Sequence, residues 1–300
     1  MSGPGNWARL LVPAVPVAWL VVFFLLPLVI VLRISLSESV LATPPYTPLI
    51  VAAPDGGLAW QGSAGNYWFL AADPLYLKAY LGSLRIAAVA TLICLVIGYP
   101  MAYAIARAPE AWRLALVLLV VLPFWTSFLI RVYAWIGILK PNGLINNLLI
   151  AIGVIEAPLK LLDNEFAVHL GIVYAYLPFM VLPLYATLVR LDWALLEAAA
   201  DLGCQPFKAF LAVTLPLSLP GVVAGSLLVF IPAVGEFVVP DLLGGAGTLM
   251  IGKVLWSEFF TNRDWPLASA VALVMLALLV LPIALLQRRR GRRVALDGGA

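Results

Sequence analysis

The chain has 300 residues, of which 64% are hydrophobic and only 11% are charged. Soluble domains are about half apolar and about one quarter charged, so this composition excludes a water-soluble fold and predicts a protein embedded in lipid. The formal net charge of +3 is too small to indicate nucleic-acid binding. The single histidine, His169, excludes most histidine-based catalytic and metal sites, and Cys94 and Cys204 have no metal-ligand spacing.

Six apolar runs are long enough to cross a membrane, because a transmembrane helix needs about 20 mostly apolar residues. The runs cover residues 10–32, 80–106, 114–139, 167–188, 219–239 and 266–286. Backbone polar groups in lipid must be satisfied within the segment, and the alternating pattern of a membrane barrel is absent. The sequence therefore predicts an all-α integral membrane protein with about six transmembrane helices.

The loops and the basic residues predict how the chain is organised. Residues 1–34 hold a retained first helix, because its apolar stretch is longer than that of a signal peptide. Residues 35–78 form a long external loop rich in proline and glycine, and residues 79–287 form a core of five helices. A short surface helix is expected around 143–152. Lysine and arginine favour the cytoplasmic side, so the arginine-rich tail at 288–300 predicts that both termini are cytoplasmic.

The predicted cytoplasmic loop at 190–217 has a clear local pattern. Asp192 is a good N-cap, residues 193–202 are mostly strong helix formers, Gly203 suits the left-handed position after a helix, and Pro206 suits a helix start. Two short helices joined by a turn are expected. The first carries an apolar stripe made of Leu195, Leu196, Ala199 and Leu202. Such a stripe fits a groove in a partner or packs against the membrane domain of the same chain, and both alternatives remain open.

The same loop resembles the EAA motif of ABC importer permeases of type I. The resemblance is carried by Glu197, Ala198 and Ala199, followed by Gly203 and then by Leu215 and Pro216. In that family the loop is a coupling helix that enters a cleft of the ATP-hydrolysing subunit. The resemblance thus implies an ATPase-coupling role for Glu197, Ala198, Ala199, Gly203 and Pro216.

The family resemblance also implies partners and a class of substrate. It implies a second related permease, two ATPase subunits that hold ATP and Mg, and a periplasmic or extracellular solute-binding protein. The stretches 235–245, 250–254 and 262–266 resemble the putrescine and spermidine permeases, which implies a polyamine. An ABC permease for another amine, iron or a phosphonate remains an alternative, as does an ion-coupled secondary transporter.

Glu236 is the candidate for the substrate pathway, because a carboxylate at membrane depth is costly and suggests function. A carboxylate suits a polycation, and Asp241 follows nearby. Pairing of Glu236 with Arg131, with Arg85 or with a basic residue of another subunit is the alternative. Aromatic rings attract ammonium groups, and the central helices offer Trp125, Tyr174 and Tyr176 as candidates.

Residues 247–254 nearly match a phosphate-binding loop, but the last position is Val254, which lacks the hydroxyl that holds magnesium. The chain also has no nucleophile or zinc-protease motif. We therefore expect that it binds no cofactor or metal and is not an enzyme, and that ATP hydrolysis occurs on a separate subunit.

Overall fold

A computed structural model describes the backbone of residues 6–52 and 57–297 and the side chains of residues 13–52 and 57–281. The chain divides into two compact units. One comprises residues 78–253, and the other combines the described residues up to Leu77 with those from Val254 onward. The predicted division into a first helix, an external loop, a core and a tail stays a prediction.

The unit that contains the described residues up to Leu77 begins with a long helical stretch. It consists of α1 (Asn6–Leu20), a π-helical segment (Val21–Leu25) and α2 (Leu26–Ser35). No residue in the most apolar 18-residue window of Pro13–Ser35 is buried, as expected for a helix that is surrounded by lipid. The last helix, α14 (Trp265–Asp297), packs against α2. The tail arginines 288–290, 292 and 293, on which the predicted orientation depends, lie outside the described side chains.

The predicted external loop has structure of its own. Two short antiparallel strands, β1 (Ile50–Ala52) and β2 (Leu58–Trp60), pair with Val51 opposite Ala59. They are followed by α3 (Gly65–Ala72). The side chain of Asn66 donates to the carbonyl oxygens of Ser35 and Ser37, both at 2.9 Å, and thereby ties α3 to the end of α2.

The second transmembrane helix begins earlier than its apolar run predicts. This helix, α4 (Pro74–Arg107), starts at Pro74 and not at residue 80. Asp73 Oδ1 accepts the N–H of Leu75 at 2.8 Å and so caps the helix, and a proline suits the first helical position. Hydropathy measures only the apolar part of a helix and does not register this capped extension.

The remaining helices follow in chain order. They are α5 (Glu110–Val121), α6 (Phe128–Leu139), α7 (Leu144–Ala151), α8 (Glu165–Leu188), α9 (Ala194–Asp201), α10 (Pro206–Ala209), α11 (Leu215–Val234), α12 (Val238–Leu243) and α13 (Ile251–Trp256). π-Helical segments follow α10 (Phe210–Thr214) and α13 (Ser257–Thr261). The short helix expected around 143–152 is present as α7, and its position at the membrane surface stays a prediction.

The structure confirms an all-helical membrane protein with about six spans. Five helical stretches of the described chain are long and apolar enough to cross a membrane, and one shorter apolar helix accompanies them. The five are Pro13–Ser35, Pro74–Arg107, Phe128–Ala151, Glu165–Leu188 and Pro206–Val234, and the shorter one is Trp265–Leu281.

The run 114–139, predicted as one span with a kink at its proline, is divided into two separate helices. The chain ends α5 at Val121, forms a 3-10 turn over Leu122–Trp125 and is extended at Thr126 and Ser127 before α6 begins. Pro123 lies in this turn, where its ring and missing N–H interrupt the helical hydrogen bonds. The length of an apolar run shows which residues can face lipid, but it does not show where a helix is interrupted.

The core of the unit formed by residues 78–253 is the packing of α8 against α11. Two glycines spaced four residues apart, Gly221 and Gly225, let the helices approach closely. A Cβ at Gly221 would lie 2.6 Å from Thr187 Oγ1, and one at Gly225 would lie 2.9 Å from Met180 Sδ. Small residues at this spacing are typical of helix pairs in membranes, where close van der Waals contact drives association.

The segment that resembles a phosphate-binding loop is a packing element. A Cβ at Gly252 would collide with the carbonyl oxygen of Gly235 and would lie 2.5 Å from that of Glu236. The N–H of Ile251 donates to Ser83 Oγ at 2.8 Å. Gly252 is therefore explained by the close approach of α13 to the turn after α11.

Candidate functional site

Both ends of α9, in the predicted coupling loop, are capped as the sequence indicates. Asp192 Oδ1 accepts the N–H of Ala194 at 3.0 Å. Gly203 has a φ of +76°, and the N–H groups of Gly203 and Cys204 donate to the carbonyl oxygens of Ala200 and Ala199 at 2.8 and 2.9 Å. This pair of bonds is a Schellman ending, which satisfies carbonyls that an open helix end would leave free. The predicted N-cap and helix ending are confirmed.

The second predicted short helix of this loop does not end as expected. Pro206 does begin α10, but the helix continues through the π segment Phe210–Thr214 into α11, so that Pro206–Val234 forms one long stretch. The residues between Pro206 and Leu215 include no glycine or helix-capping turn that would stop the helix. Pro216 lies within the first turn of α11, where a proline is tolerated.

The surface of the coupling loop leaves large apolar side chains uncovered. Leu202 is 89% exposed and Phe207 is 71% exposed, and Leu195 is also exposed. Leu196 and Ala199, the other members of the predicted stripe, are half-buried. The stripe is therefore divided between a side that faces the chain itself and a side that is free. Glu197 and Ala198, which carry the family resemblance, are exposed.

A cavity of about 270 Å³ lies behind the coupling helix. Its walls come from the end of α4, from α9 and from the segment that leads into α11. The lining residues include Tyr103, Arg107, Trp193, Glu197, Cys204 and Phe210. The inner side of α9 is thus only partly packed against the rest of its unit.

Glu236 lies in the turn between α11 and α12 and is 93% buried, with 7% of its surface exposed. Tyr176 donates its hydroxyl to Oε2 at 2.5 Å, while the N–H groups of Val238 and Val239 donate to Oε1 at 3.0 and 3.3 Å. The carboxylate caps the N-terminus of α12 and joins it to α8. A buried carboxylate is tolerated here because three donors from its own chain surround it.

The basic residues considered as partners of Glu236 have other contacts. Arg85 forms an ion pair with Glu165. The guanidinium of Arg131 lies over the rings of Phe124 and Phe128, with its Cζ 5.2 and 5.7 Å from their centroids. Among the contacts of the described residues, neither arginine pairs with Glu236, so pairing with either of them is not supported.

The five predicted pathway residues are only partly brought together. Tyr176 contacts Glu236 directly, whereas Asp241 forms an ion pair with Lys253 at 3.3 Å. Tyr174 packs edge-on against Trp135 with ring centroids 5.4 Å apart. Trp125 lies in the 3-10 turn and is 77% exposed. A role of these residues in the pathway stays a prediction.

Two features of the site were missed from the sequence. The capping role of Glu236 had a signal, because a carboxylate close to a helix N-terminus is favoured by the helix dipole. The pairing of Lys253 with Asp241 had none, since the two residues belong to different helices. Within the described side chains, no group of three histidine, cysteine or acidic residues could hold a metal ion.

The fold and the exposed, doubly capped loop define a class of protein, a multi-pass helical membrane protein with an uncovered apolar surface on one loop. Residues 95–296 match the family model described as binding-protein-dependent transport system inner membrane component. The chain belongs to this family and is therefore a permease subunit of an ABC transporter and a multi-pass inner membrane protein.

Relatives and solved structures agree with this assignment. The chain is 42% identical over 289 residues to the spermidine/putrescine transport system permease protein PotB of Haemophilus influenzae, covering 95% of this chain and 96% of the relative. It is 45% identical over 203 residues to PotB of Escherichia coli, covering 68% and 74%. A bacterial alginate ABC transporter solved in complex with a periplasmic protein has the same fold, with a TM-score of 0.70 at 17% identity over 96% of this chain and 95% of the matched chain.

Proposed function

We propose that this chain is the permease subunit of an ATP-driven importer of polyamines, with spermidine and putrescine as substrates. The observation that carries the proposal is the 42% identity to a spermidine/putrescine permease, because it extends over 95% of the chain. The similarity therefore includes the loops and helix ends as well as the apolar spans.

The exposed face of the coupling loop supports docking of an ATPase. Leu195, Leu202 and Phe207 are uncovered, and a capped helix with such a face fits a groove in a partner. ATP and Mg would be held by two ATPase subunits, and a second related permease and a solute-binding protein would complete the importer. In this arrangement the coupling loop and both termini lie in the cytoplasm.

The proposed pathway is lined by aromatic rings and carboxylates. Glu236 and Tyr176 contact each other on facing elements, while Asp241, Trp125 and Tyr174 are the further candidates. A flexible polycation needs negative charge and π faces, and both are present in this set. Because Glu236 also caps α12, its charge and its capping role must be separated by experiment.

Uptake of labelled spermidine and putrescine in cells that lack the chain, and then regain it, tests the proposal. We expect uptake to return with the chain and to be lost when ATP is depleted while the ion gradient is preserved. Competition by unlabelled amines, iron and phosphonates identifies the substrate class. Restored uptake of a non-amine solute alone would contradict the polyamine proposal, and uptake that follows the ion gradient would contradict an ATP-driven mechanism.

A further inference from the structure

One aromatic cluster joins the coupling loop to the membrane helices. We define the clasp as Tyr103 and Arg107 at the end of α4, Trp193 at the start of α9, and Phe210 at the start of the π segment. Trp193 meets Tyr103 edge-on, with ring centroids 5.8 Å apart and an interplanar angle of 80°. Tyr103 meets Phe210 in the same manner at 6.3 Å and 84°.

The guanidinium of Arg107 contacts the rings of both Trp193 and Tyr103. Its Cζ lies 5.2 Å from the ring centroid of Trp193 and 5.7 Å from that of Tyr103. Its Nη1 donates to Tyr103 Oη at 3.2 Å. A guanidinium in contact with aromatic faces is attracted by their quadrupoles, and its planar shape allows contact with both rings.

The clasp continues into the buried part of the membrane helices. Phe210 meets Tyr99 edge-on at 5.4 Å. Tyr99 donates its hydroxyl to Ser218 Oγ at 2.7 Å, because Ser218 itself donates to the carbonyl oxygen of Leu215 at 3.0 Å. Ser218 is fully buried. An unbroken series of contacts thus runs from the coupling loop through α4 to the first turn of α11.

This series of contacts borders the cavity behind α9. A displacement is transmitted by groups in direct contact, and the clasp residues contact one another at the edge of the cavity of about 270 Å³. The helix α9 has only eight residues, and a helix of this length is not stable without tertiary contacts. It packs against α10 and the π segment Phe210–Thr214, and the clasp adds the contact between its first end and α4.

We propose that Trp193 and Arg107 are positioning residues for energy coupling, which convert displacement of α9 into movement of α4 and α11. This inference rests on the proposed docking of an ATPase to the coupling loop. It differs from the docking itself, because the three clasp rings are half-buried against one another, whereas Leu202 and Phe207 are exposed.

The test uses the complete importer, with its ATPase and second permease, reconstituted in liposomes. Trp193→Leu removes the aromatic ring, Trp193→Phe keeps one, and Arg107→Lys keeps the charge but loses the planar contact. Co-purification of the ATPase, ATP hydrolysis and substrate uptake are measured for each variant. Trp112→Leu, which changes an exposed tryptophan of α5 outside the clasp, is the matched control.

We expect Trp193→Leu and Arg107→Lys to retain the ATPase and its hydrolysis while uptake per ATP hydrolysed falls by about fivefold or more, in the range of measured couplings between sites. Trp193→Phe should retain most of the uptake per ATP hydrolysed. The loss in the double variant should be smaller than the sum of the two single losses, because the two residues share one contact. Unchanged uptake per ATP in either variant would overturn the inference. Loss of the ATPase in proportion to uptake would also overturn it, because the clasp would then only hold the docking surface.

Failure of the proposed function has a different signature. If the unaltered chain did not co-purify with any ATPase, the docking proposal would fail before a variant was compared. If Trp193→Leu did not accumulate, Arg107→Lys alone would decide the inference, since it retains both the positive charge and the aromatic rings.

Discussion

The coupling loop and the turn around Glu236 both connect helices of the same unit, but they satisfy their side chains in opposite ways. In the coupling loop the backbone is capped at both ends, while Leu202 and Phe207 extend into the surroundings. In the turn after α11, the buried Glu236 accepts one hydroxyl and two N–H groups from its own chain. The comparison teaches that the first segment satisfies its backbone but leaves apolar side chains uncovered, whereas the second satisfies its polar side chain within the chain.

The largest effect should come from a substitution that places a side chain between α13 and the turn after α11. Gly252→Val would place a side chain against the carbonyl oxygens of Gly235 and Glu236, and backbone atoms cannot move aside as side chains do. We expect a loss of about 3 kcal/mol or more in the free energy of unfolding, observed as a lower melting temperature in detergent. Gly247→Val is the matched control, because no atom lies within 4 Å of its Cβ position. Equal melting temperatures for the two variants would contradict the close packing described for α13.

A smaller effect should separate the charge of Glu236 from its capping role. Glu236→Ala leaves Tyr176 and the N–H groups of Val238 and Val239 without an acceptor, which costs about 2–3 kcal/mol in the free energy of unfolding. Glu236→Gln keeps an amide oxygen for the backbone donors and should cost less than about 1 kcal/mol.

Uptake by the Glu236→Gln variant then tests the pathway proposal. If the negative charge serves the substrate cation, uptake falls while the melting temperature stays near that of the unaltered chain. Normal uptake by a stable Glu236→Gln importer would remove Glu236 from the pathway and leave it only the capping role.

The sequence predicted the coupling loop well because its signals are local. Asp192, Gly203 and Pro206 act on their own backbone neighbours, so their residue types were enough to place the cap, the left-handed turn and the helix start. The family assignment and the all-helical fold were predicted for similar reasons, from a short motif and from apolar run lengths that the physics of lipid imposes.

Other features could not be predicted because they depend on residues distant in the chain or on backbone geometry within apolar sequence. The partner of Glu236 is Tyr176, 60 positions away, and the clasp brings together residues of three helical segments. The proline at 123 indicates a kink, but the full break at Leu122–Trp125 and the continuation of α10 into α11 occur among apolar residues, where hydropathy is the same on either side. Capped extensions such as Asp73 and Pro74 similarly lie beyond the apolar run.

The smallest predicted effect concerns the stiffness of the coupling loop and tests whether its exposed face needs a rigid base. Gly203 has a positive φ, but no atom lies within 4 Å of its Cβ position, so a substitution meets only backbone strain. Gly203→Val should cost about 1–2 kcal/mol at the end of α9, and Gly203→Asn should cost less because asparagine tolerates the left-handed conformation. Since Leu202 precedes this position and is part of the exposed face, loosening the turn should weaken ATPase co-purification in the valine variant and largely preserve it in the asparagine variant. Equal retention of the ATPase by both variants would mean that docking depends on the exposed side chains and not on the capped geometry that holds them.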